Sequence, residues 1–242
     1  MVKIAVSEKR NTRLQQFQLN EQTMVTTWGT IKVNKSHFFP SSFQIRTPKH
    51  TVYIDPVEIS DGDKADYIFI THAHPDHLNL ETIAQLYKSG TTIVCPKGVL
   101  KKLKKQGYLP RLIRPGETMV LGDIVCRAVG AYNVKNVFLW IKAHPKSKQN
   151  VGYVLTLEGG ERIYHAGDTD YIPEMDGLKD IDLAMIPIGG DNLTMNMAEA
   201  TKVINTTKPK VVIPMHYEFK DRPSQSSLEN QLNEDIEVRL MH

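Results

Sequence analysis

The stretch from Ile68 to His77 reads IFITHAHPDH. Its first residues are apolar or β-branched and predict a buried strand, and three histidines and one aspartate follow within six positions. Imidazole nitrogens and carboxylate oxygens are ligands of zinc, manganese and iron. A loop at the end of a strand can direct several such groups at one point. The stretch therefore predicts a metal site that contains His72, His74, Asp76 and His77.

Two later stretches repeat this pattern of a strand that ends in a ligand-type residue. Residues 162–164 lead into a turn of small residues that carries Asp168, and Gly167 permits the close backbone approach that a bridging carboxylate needs. Residues 211–213 form a buried run that ends near His216. We therefore expect Asp168 and His216 to join the same site.

In their order and separation, these motifs resemble the metallo-β-lactamase superfamily of metal-dependent hydrolases. Residues 54–56 (Ile-Asp-Pro), 164–169 and 214–217 look most similar to the branch that contains ascorbate-6-phosphate lactonase. The resemblance covers Ile31 to Tyr217. It implies an α/β (α+β) fold, a four-layer αββα sandwich with the metals at one edge between the two sheets.

The resemblance also implies a cofactor and a ligand set. The cofactor would be two divalent metal ions, with Zn²⁺ expected first and Mn²⁺ or Fe²⁺ as alternatives. Carried over by position, the ligands are His72 and His74 for the first ion, Asp76, His77 and His216 for the second, and Asp168 between them.

One ligand of the first ion is harder to assign. The family has a third histidine here, and in the lactonase-like branch it closes a strand where this chain has Tyr132-Asn133. The interval up to Asp168 contains His144, before the strand that opens at Gly152. We favour His144, because neutral imidazole binds zinc better than an amide oxygen does. Asn133 as a replacement or a supplement, or an incomplete first site, are the alternatives.

The expected chemistry is hydrolysis by solvent. Two ions lower the pKa of a shared water towards about 7 and supply a metal-bound hydroxide, and Asp76 would act as the catalytic base. The expected substrate is a small ester, lactone or phosphoester. A nuclease or phosphodiesterase of the same superfamily, or a metal-binding protein without turnover, are the alternatives.

Composition limits the partners. The 242 residues carry a net charge of +3 and are 40% hydrophobic, as in an ordinary globular protein. The charge is too small to argue for nucleic acid, and no apolar run approaches the ~18 residues of a membrane span, so we expect neither partner. Lys146 and Lys148 beside His144, and the polar loop 189–196, make an anionic small molecule one option. A homo-oligomer is another open option.

The remaining expectations concern the chain as a whole. Residues 1–242 are predicted to form one hydrolase domain, with residues 1–28 as a peripheral N-terminal element. Cys95 and Cys126 lie in strand-like runs and are expected to be reduced and buried, which favours a cytoplasmic location. Further predicted strands include residues 137–141, and predicted helices cover residues 81–88, 97–105 and 197–205.

Overall fold

A computed structural model of the chain describes residues 14–33, 35–233 and 235–241. Seventeen strands are found within these residues. In chain order they are β1 Gln15–Gln18, β2 Met24–Thr27, β3 Ile31–Val33, β4 Ser36–Phe39, β5 Phe43–Arg46, β6 Thr51–Ile54, β7 Tyr67–Phe69, β8 Thr92–Cys95, β9 Arg111–Leu112, β10 Thr118–Leu121, β11 Ile124–Gly130, β12 Val151–Thr156, β13 Arg162–His165, β14 Leu183–Pro187, β15 Val211–Met215, β16 Tyr217–Glu218 and β17 Glu237–Val238.

Most of these strands belong to two sheets. The first has the order β1-β2-β5-β6-β7-β8-β9, and the second has the order β10-β11-β12-β13-β14-β15-β17. Strands β3, β4 and β16 form a small third sheet. In each large sheet the central strands that lead to the predicted site, β6 to β8 and β13 to β15, run parallel. Their carboxyl ends therefore lie at a common edge of each sheet.

The two large sheets pack face to face. Within β7, Ile68 belongs to an outer cluster and Phe69 to the central core, because successive side chains of a strand point to opposite faces. Phe69 of the first sheet meets Tyr153 of the second with ring centroids 5.2 Å apart. Both side chains are fully buried, so the main core lies between the sheets.

Four α-helices complete the described structure: α1 Leu80–Leu86, α2 Lys97–Lys105, α3 Met197–Thr207 and α4 Gln225–Glu229. Helices α1 and α2 bury Ile83 and Leu103 against the outer face of the first sheet. Helix α3 packs near β14 and adds Val203 to the core on the other side. The layers are thus helix, sheet, sheet and helix, which confirms the predicted αββα class. None of the helices in the described part of the chain is long and apolar enough to cross a membrane.

One predicted strand is wrong. Residues 137–141 form an exposed turn in which a single bridge pairs Phe138 with Ile141. The apolar run resembled a strand, but within the described residues no neighbouring strand pairs with it. Predicted helix 97–105 agrees with α2, whereas helix 197–205 extends to Thr207.

The N-terminal region differs in detail from the predicted peripheral element. Residues 14–28 include β1 and β2, which form one edge of the first sheet, and Val25 and Thr27 are fully buried there. Residues 1–13 lie outside the described residues. The organisation as one domain stays a prediction.

Candidate metal centre

Seven predicted ligands meet at the common edge of the two sheets. They form two groups of four in which the possible ligand atoms lie within 4.8 Å of one another. The first group is His72, His74, His144 and Asp168, and the second is Asp76, His77, Asp168 and His216. Asp168 is the residue that the groups share, as expected for a carboxylate between two ions.

The loop after β7 brings four of these side chains together. The backbone nitrogens of His77 and Leu78 both donate to the carbonyl of His74, at 3.1 and 2.9 Å. This tight turn reverses the chain at Pro75. His72 and His77 point into the buried centre, whereas His74 lies at the solvent-exposed side.

Asp55 fixes the orientation of this loop from behind. Its carboxylate accepts hydrogen bonds from the Thr71 backbone nitrogen at 2.7 Å, the Thr71 hydroxyl at 2.6 Å and His77 Nδ1 at 2.7 Å. Because the Thr71 hydroxyl donates to Asp55, it can accept from His72 Nδ1, which lies 3.0 Å away. Both histidines therefore carry a proton on Nδ1 and present Nε2 to the centre, a common arrangement of metal ligands.

His144 is oriented by Asn133. Nδ1 of His144 lies 2.9 Å from the Asn133 side-chain oxygen and 3.1 Å from the carbonyl of Leu193. Both partners are acceptors, so Nδ1 carries a proton and Nε2 is directed at the centre. His144 Nε2 lies 3.2 Å from His74 Nδ1 and 3.4 Å from Asp168 Oδ2. The structure thus places the His144 side chain in the first group and the Asn133 side chain behind it.

Several buried polar atoms in the centre lack a hydrogen bond, although His77 Nε2 and Asp168 Oδ1 lie within ion-pair distance of each other, at 3.2 Å. His72 Nε2, His77 Nε2 and Asp168 Oδ1 are buried and make no hydrogen bond with any described residue. A buried polar atom left in this way costs about 1–3 kcal/mol. The three atoms converge at one point, and two of them belong to oriented imidazoles. This arrangement fits the positions of metal ligands. The donor set therefore suits divalent cations.

Local electrostatics keep His72 and Asp168 of the first group in the protonation states that can bind a metal ion. Burial lowers the pKa of His72 well below its usual value, and the neighbouring His77 adds to this effect. Burial alone would raise the pKa of Asp168, but the positive charges of His216 and His77 outweigh it and hold that pKa well below the ordinary range. His72 is therefore neutral and Asp168 is ionised at neutral pH, as metal binding requires.

The two histidines of the second group have raised pKa values, unlike His72 of the first group. Burial lowers the pKa of His216, but the carboxylate of Asp168 overcomes it and raises the pKa to about 9. His77 likewise has a raised pKa, because Asp168 and Asp55 outweigh its burial. Both imidazoles must release a proton before they can bind a cation through Nε2.

The turn that carries Asp168 depends on close backbone contacts. Gly167 has φ +65°, and a Cβ there would lie 3.0 Å from the carbonyl of Val151. His165 accepts from the Gly167 nitrogen at 3.2 Å and its Nε2 faces the Ser41 carbonyl at 2.9 Å. His165 is fully buried and contacts the backbone of the turn, not the Asp168 carboxylate.

His216 also has an unusual backbone. Its φ is +55°, a left-handed conformation that costs a non-glycine residue energy and is found at functional sites. Its carbonyl approaches Gly189 so closely that a Cβ there would lie 2.2 Å from the oxygen. Phe38 packs edge-on against the imidazole with centroids 4.7 Å apart. Gly189 and Phe38 thus fix the side chain at the end of β15.

A cavity of about 290 Å³ opens beside the second group. Asp76 and His216 line its inner end. The loop 189–196, which the sequence had singled out, forms part of its wall and ends at Asn196, the N-cap of α3. Lys146, which had suggested an anionic substrate, is paired with Glu174 at 3.1 Å and does not line the cavity.

The sequence did not predict a role for two residues that hold candidate ligands in place. Asp55 and Thr71 hold His72 and His77 in place, although Asp55 is far from them along the chain. The available signal was its position directly after the buried strand β6, the same strand-end pattern that identified the ligands.

Comparison with known proteins identifies the family. A family model described as a beta-lactamase superfamily domain matches residues 38–217. A UPF0173 protein of Pyrococcus abyssi is 33% identical over 181 residues, which cover 72% of this chain and 79% of the relative. A UPF0173 metal-dependent hydrolase of Nanoarchaeum equitans is 32% identical over 207 residues, with 79% and 93% covered.

A solved structure agrees with these matches. The crystal structure of a candidate metal-dependent hydrolase from Parabacteroides distasonis superposes with a TM-score of 0.74 at 30% identity, covering 95% of this chain and 98% of the other. The chain therefore belongs to the metallo-β-lactamase superfamily, among its metal-dependent hydrolases, as its motifs predicted. The narrower resemblance to the lactonase-like branch stays a prediction.

Proposed function

We propose that the protein binds two divalent metal ions and uses them to hydrolyse a small molecule with an ester, lactone or phosphoester bond. The observation that carries this proposal is the position of Asp168, whose carboxylate belongs to both groups of candidate ligands. Pairs of cations held close together in this way are typical of hydrolytic sites.

The residues that would hold each ion follow from the two groups. His72, His74 and His144 would bind the first ion, and Asp76, His77 and His216 the second, with Asp168 common to both. When bound, the ions would polarise the scissile group and make water a stronger nucleophile at neutral pH. A donor set of imidazoles and carboxylates suits zinc first, and manganese or iron as alternatives.

Asp76 is the residue proposed to handle the proton. It lines the cavity, and its side chain is 27% exposed, more than that of Asp168. Burial raises its pKa, but the hydrogen bond from His216 and the charge of His77 outweigh this and lower it to about 2. The carboxylate is thus ionised at neutral pH, and it can orient the attacking water and accept its proton.

The cavity lining supports a more specific substrate class. Its apolar wall includes Phe38, Ile188 and Met197. Apart from the candidate ligands Asp76 and His216, its charged lining is acidic: Asp191, Glu218 and Asp221. No described lining residue is a lysine or arginine, although Lys220 pairs with Glu218 at 2.8 Å from outside the lining. We therefore favour a substrate whose group in this cavity is apolar and neutral or cationic, in place of an anionic one.

The alternative of a metal-binding protein without turnover depended on an incomplete first site. His144 gives that group four candidate ligands, so the incomplete site has no support. A nuclease would need a strongly basic groove, whereas this cavity is lined by carboxylates.

A matched set of chromogenic esters tests the proposal. The metal-loaded protein would be assayed with neutral, cationic and anionic acyl groups of equal size. We expect the anionic ester to have a kcat/KM about tenfold lower, equivalent to roughly 1.4 kcal/mol for one repulsive contact. Asp191→Asn should reduce the difference in kcat/KM between the anionic ester and the others. The control is Asp61→Asn, at an exposed position, which should leave that difference unchanged. Hydrolysis that is unaffected by complete removal of metal would overturn the proposal.

A further inference from the structure

Residues 134–141 form an exposed apolar turn, here called the apolar hairpin. Four consecutive side chains at its end are largely exposed: Phe138 66%, Leu139 61%, Trp140 81% and Ile141 55%. One aromatic side chain can bury roughly 150–250 Å². With two aromatic residues and Val134 also half exposed, the apolar hairpin is a concentrated patch of the kind that marks an interaction surface.

The residues at the tip of the apolar hairpin are of unusual types for a tight turn. The Val137 nitrogen donates to the Ile141 carbonyl, and the Ile141 nitrogen to the Phe138 carbonyl, both at 2.8 Å. The two residues at the tip are Leu139 and Trp140, and Leu139 has φ +47°. Such a position favours glycine, asparagine or aspartate. Folding does not explain a leucine and a tryptophan there, which indicates that the tip contacts a partner.

The apolar hairpin projects from the metal edge and does not cover the cavity. None of its residues is among those that line the cavity. Its base is anchored beside the candidate centre, because the Asn133 nitrogen donates to the His144 carbonyl at 2.8 Å. The Lys135 nitrogen donates to Asp170 at 2.9 Å, which fixes the other side of the base. The tip therefore faces outwards.

Unpaired lysines lie around the same edge. Lys142 follows the apolar hairpin directly, and Lys148 lies in the short helical turn after His144. Helix α2 also reaches this edge, because Lys102 Nζ donates to the carbonyl of Ala73, in the metal loop, at 2.9 Å. Lys102, Lys142 and Lys148 form no ion pair with a described residue, whereas Lys135 pairs with Asp170 and Glu199, and Lys146 with Glu174.

We propose that the apolar hairpin docks this protein peripherally on an anionic lipid surface. Leu139 and Trp140 would enter the interfacial layer, and the lysines would contact the lipid head groups. A protruding tip suits a bilayer better than a partner with a matching flat face. Pairing two copies through their tips would bring the Lys142 side chains of both together, which like charge opposes.

This proposal differs from the sequence-based expectation of no membrane partner. That expectation depended on the small net charge and on the lack of an apolar run long enough to span a membrane. The fold instead places Lys102 of α2 at the metal loop, while Lys142 and Lys148 lie close in the chain to the base of the apolar hairpin. The proposal is independent of the proposed hydrolytic function, since docking needs no turnover.

The test uses the metal-loaded protein and lipid vesicles. The chain has two tryptophans, so Trp28→Phe leaves Trp140 as the reporter. With vesicles of phosphatidylcholine and phosphatidylglycerol, we expect its emission to shift to the blue and to be quenched by brominated lipid. Pure phosphatidylcholine vesicles should bind far less. Raising the salt from 0.1 to 1 M should weaken binding, since the screening length falls from about 10 to 3 Å.

Variants identify the surface by sedimentation with the same vesicles. Trp140→Ser and Leu139→Ser should each weaken binding at least about tenfold, and the double variant Lys142→Glu/Lys148→Glu should weaken it too. The matched control is Leu109→Ser, since Leu109 is 91% exposed and lies outside the apolar hairpin. Hydrolysis of a water-soluble ester should stay the same in Trp140→Ser, Leu139→Ser and Leu109→Ser.

Two results would overturn the proposal. One is that the wild type fails to bind anionic vesicles or that Trp140→Ser binds them equally well. The other is that light scattering shows an oligomer which Trp140→Ser dissociates, because the apolar hairpin would then be an interface between copies of the chain.

Discussion

The side-chain oxygen of Asn133 lies 2.9 Å from Nδ1 of His144 and 2.8 Å from the His144 backbone nitrogen. Asn133 stands where the lactonase-like branch has a histidine at the end of a strand. In this chain the strand end orients a histidine that comes from the loop. The amide nitrogen of Asn133 completes the arrangement by donating to the Leu193 carbonyl at 2.9 Å. Asn133 and His144, eleven positions apart, thus act together, one as the orienting residue and the other as the candidate ligand.

This relationship predicts two different losses of metal. His144→Ala removes a candidate ligand, so we expect the ion of the first group to be lost while the second ion stays. Asn133→Ala leaves the imidazole without its main orienting partner, and we expect first-ion affinity to fall about 10–100-fold. The sequence alone had offered Asn133 only as an alternative ligand, without this orienting role.

Chelator competition measures both losses. Asn136→Ala is the control, because Asn136 is exposed and bonds only within the apolar hairpin. Unchanged metal affinity in both His144→Ala and Asn133→Ala would show that His144 is not a ligand.

Replacement of Asp55 should lower metal affinity, although Asp55 is not itself a candidate ligand. Asp55→Asn keeps the volume but weakens acceptance from Thr71 and His77, and we expect second-ion affinity to fall about 10–100-fold. Asp55→Ala leaves buried donors unpaired and should also reduce the free energy of unfolding by about 3 kcal/mol. Denaturant titration and metal competition report the two effects separately. Wild-type values in both assays for Asp55→Ala would contradict the orienting role.

Asp76→Asn should separate turnover from binding. The amide occupies the same space but cannot accept a proton from water, so we expect kcat to fall about 10²–10⁴-fold. The fold should be unchanged by circular dichroism, and much of the metal should remain by elemental analysis. A rate equal to that of the wild type would assign the base to another residue.

The two cysteines should be inert in the folded protein. Cys95 and Cys126 are free and buried, and burial raises the pKa of each thiol from 9.0 to about 12. At pH 8 only roughly one thiol in 10⁴ is then a thiolate, the reactive form. A thiol reagent should therefore label neither residue until the chain is unfolded, when both react. Rapid labelling of the native protein would contradict this burial.

The sequence predicted the ligands well because each lies at the end of a recognisable strand. His72, Asp168 and His216 follow apolar runs whose carboxyl ends share one edge once the sheets form. The contributions of Asp55 and Asn133 could not be predicted in the same way. Each acts through hydrogen bonds to a residue that is distant in sequence and approaches only in the folded chain.

For the apolar hairpin, the sequence predicted a strand that the structure does not contain. The run Val137–Ile141 has the composition of a strand, and local pattern alone cannot distinguish a strand from an exposed apolar turn. What decides is whether a neighbouring strand is available for pairing, and in the described structure none pairs with it. The same residues are therefore the least explained by folding and the best candidates for an external partner.

The most direct test of the account is the metal content of wild type and Asp168→Ala, measured by elemental analysis after purification without chelators and reconstitution with zinc or manganese. Two groups that share one carboxylate predict two ions per chain in the wild type and a loss from both positions in Asp168→Ala. Asp180→Ala, at an exposed aspartate, is the control and should keep both ions. No more than trace metal in the wild type, or full occupancy in Asp168→Ala, would contradict the central claim.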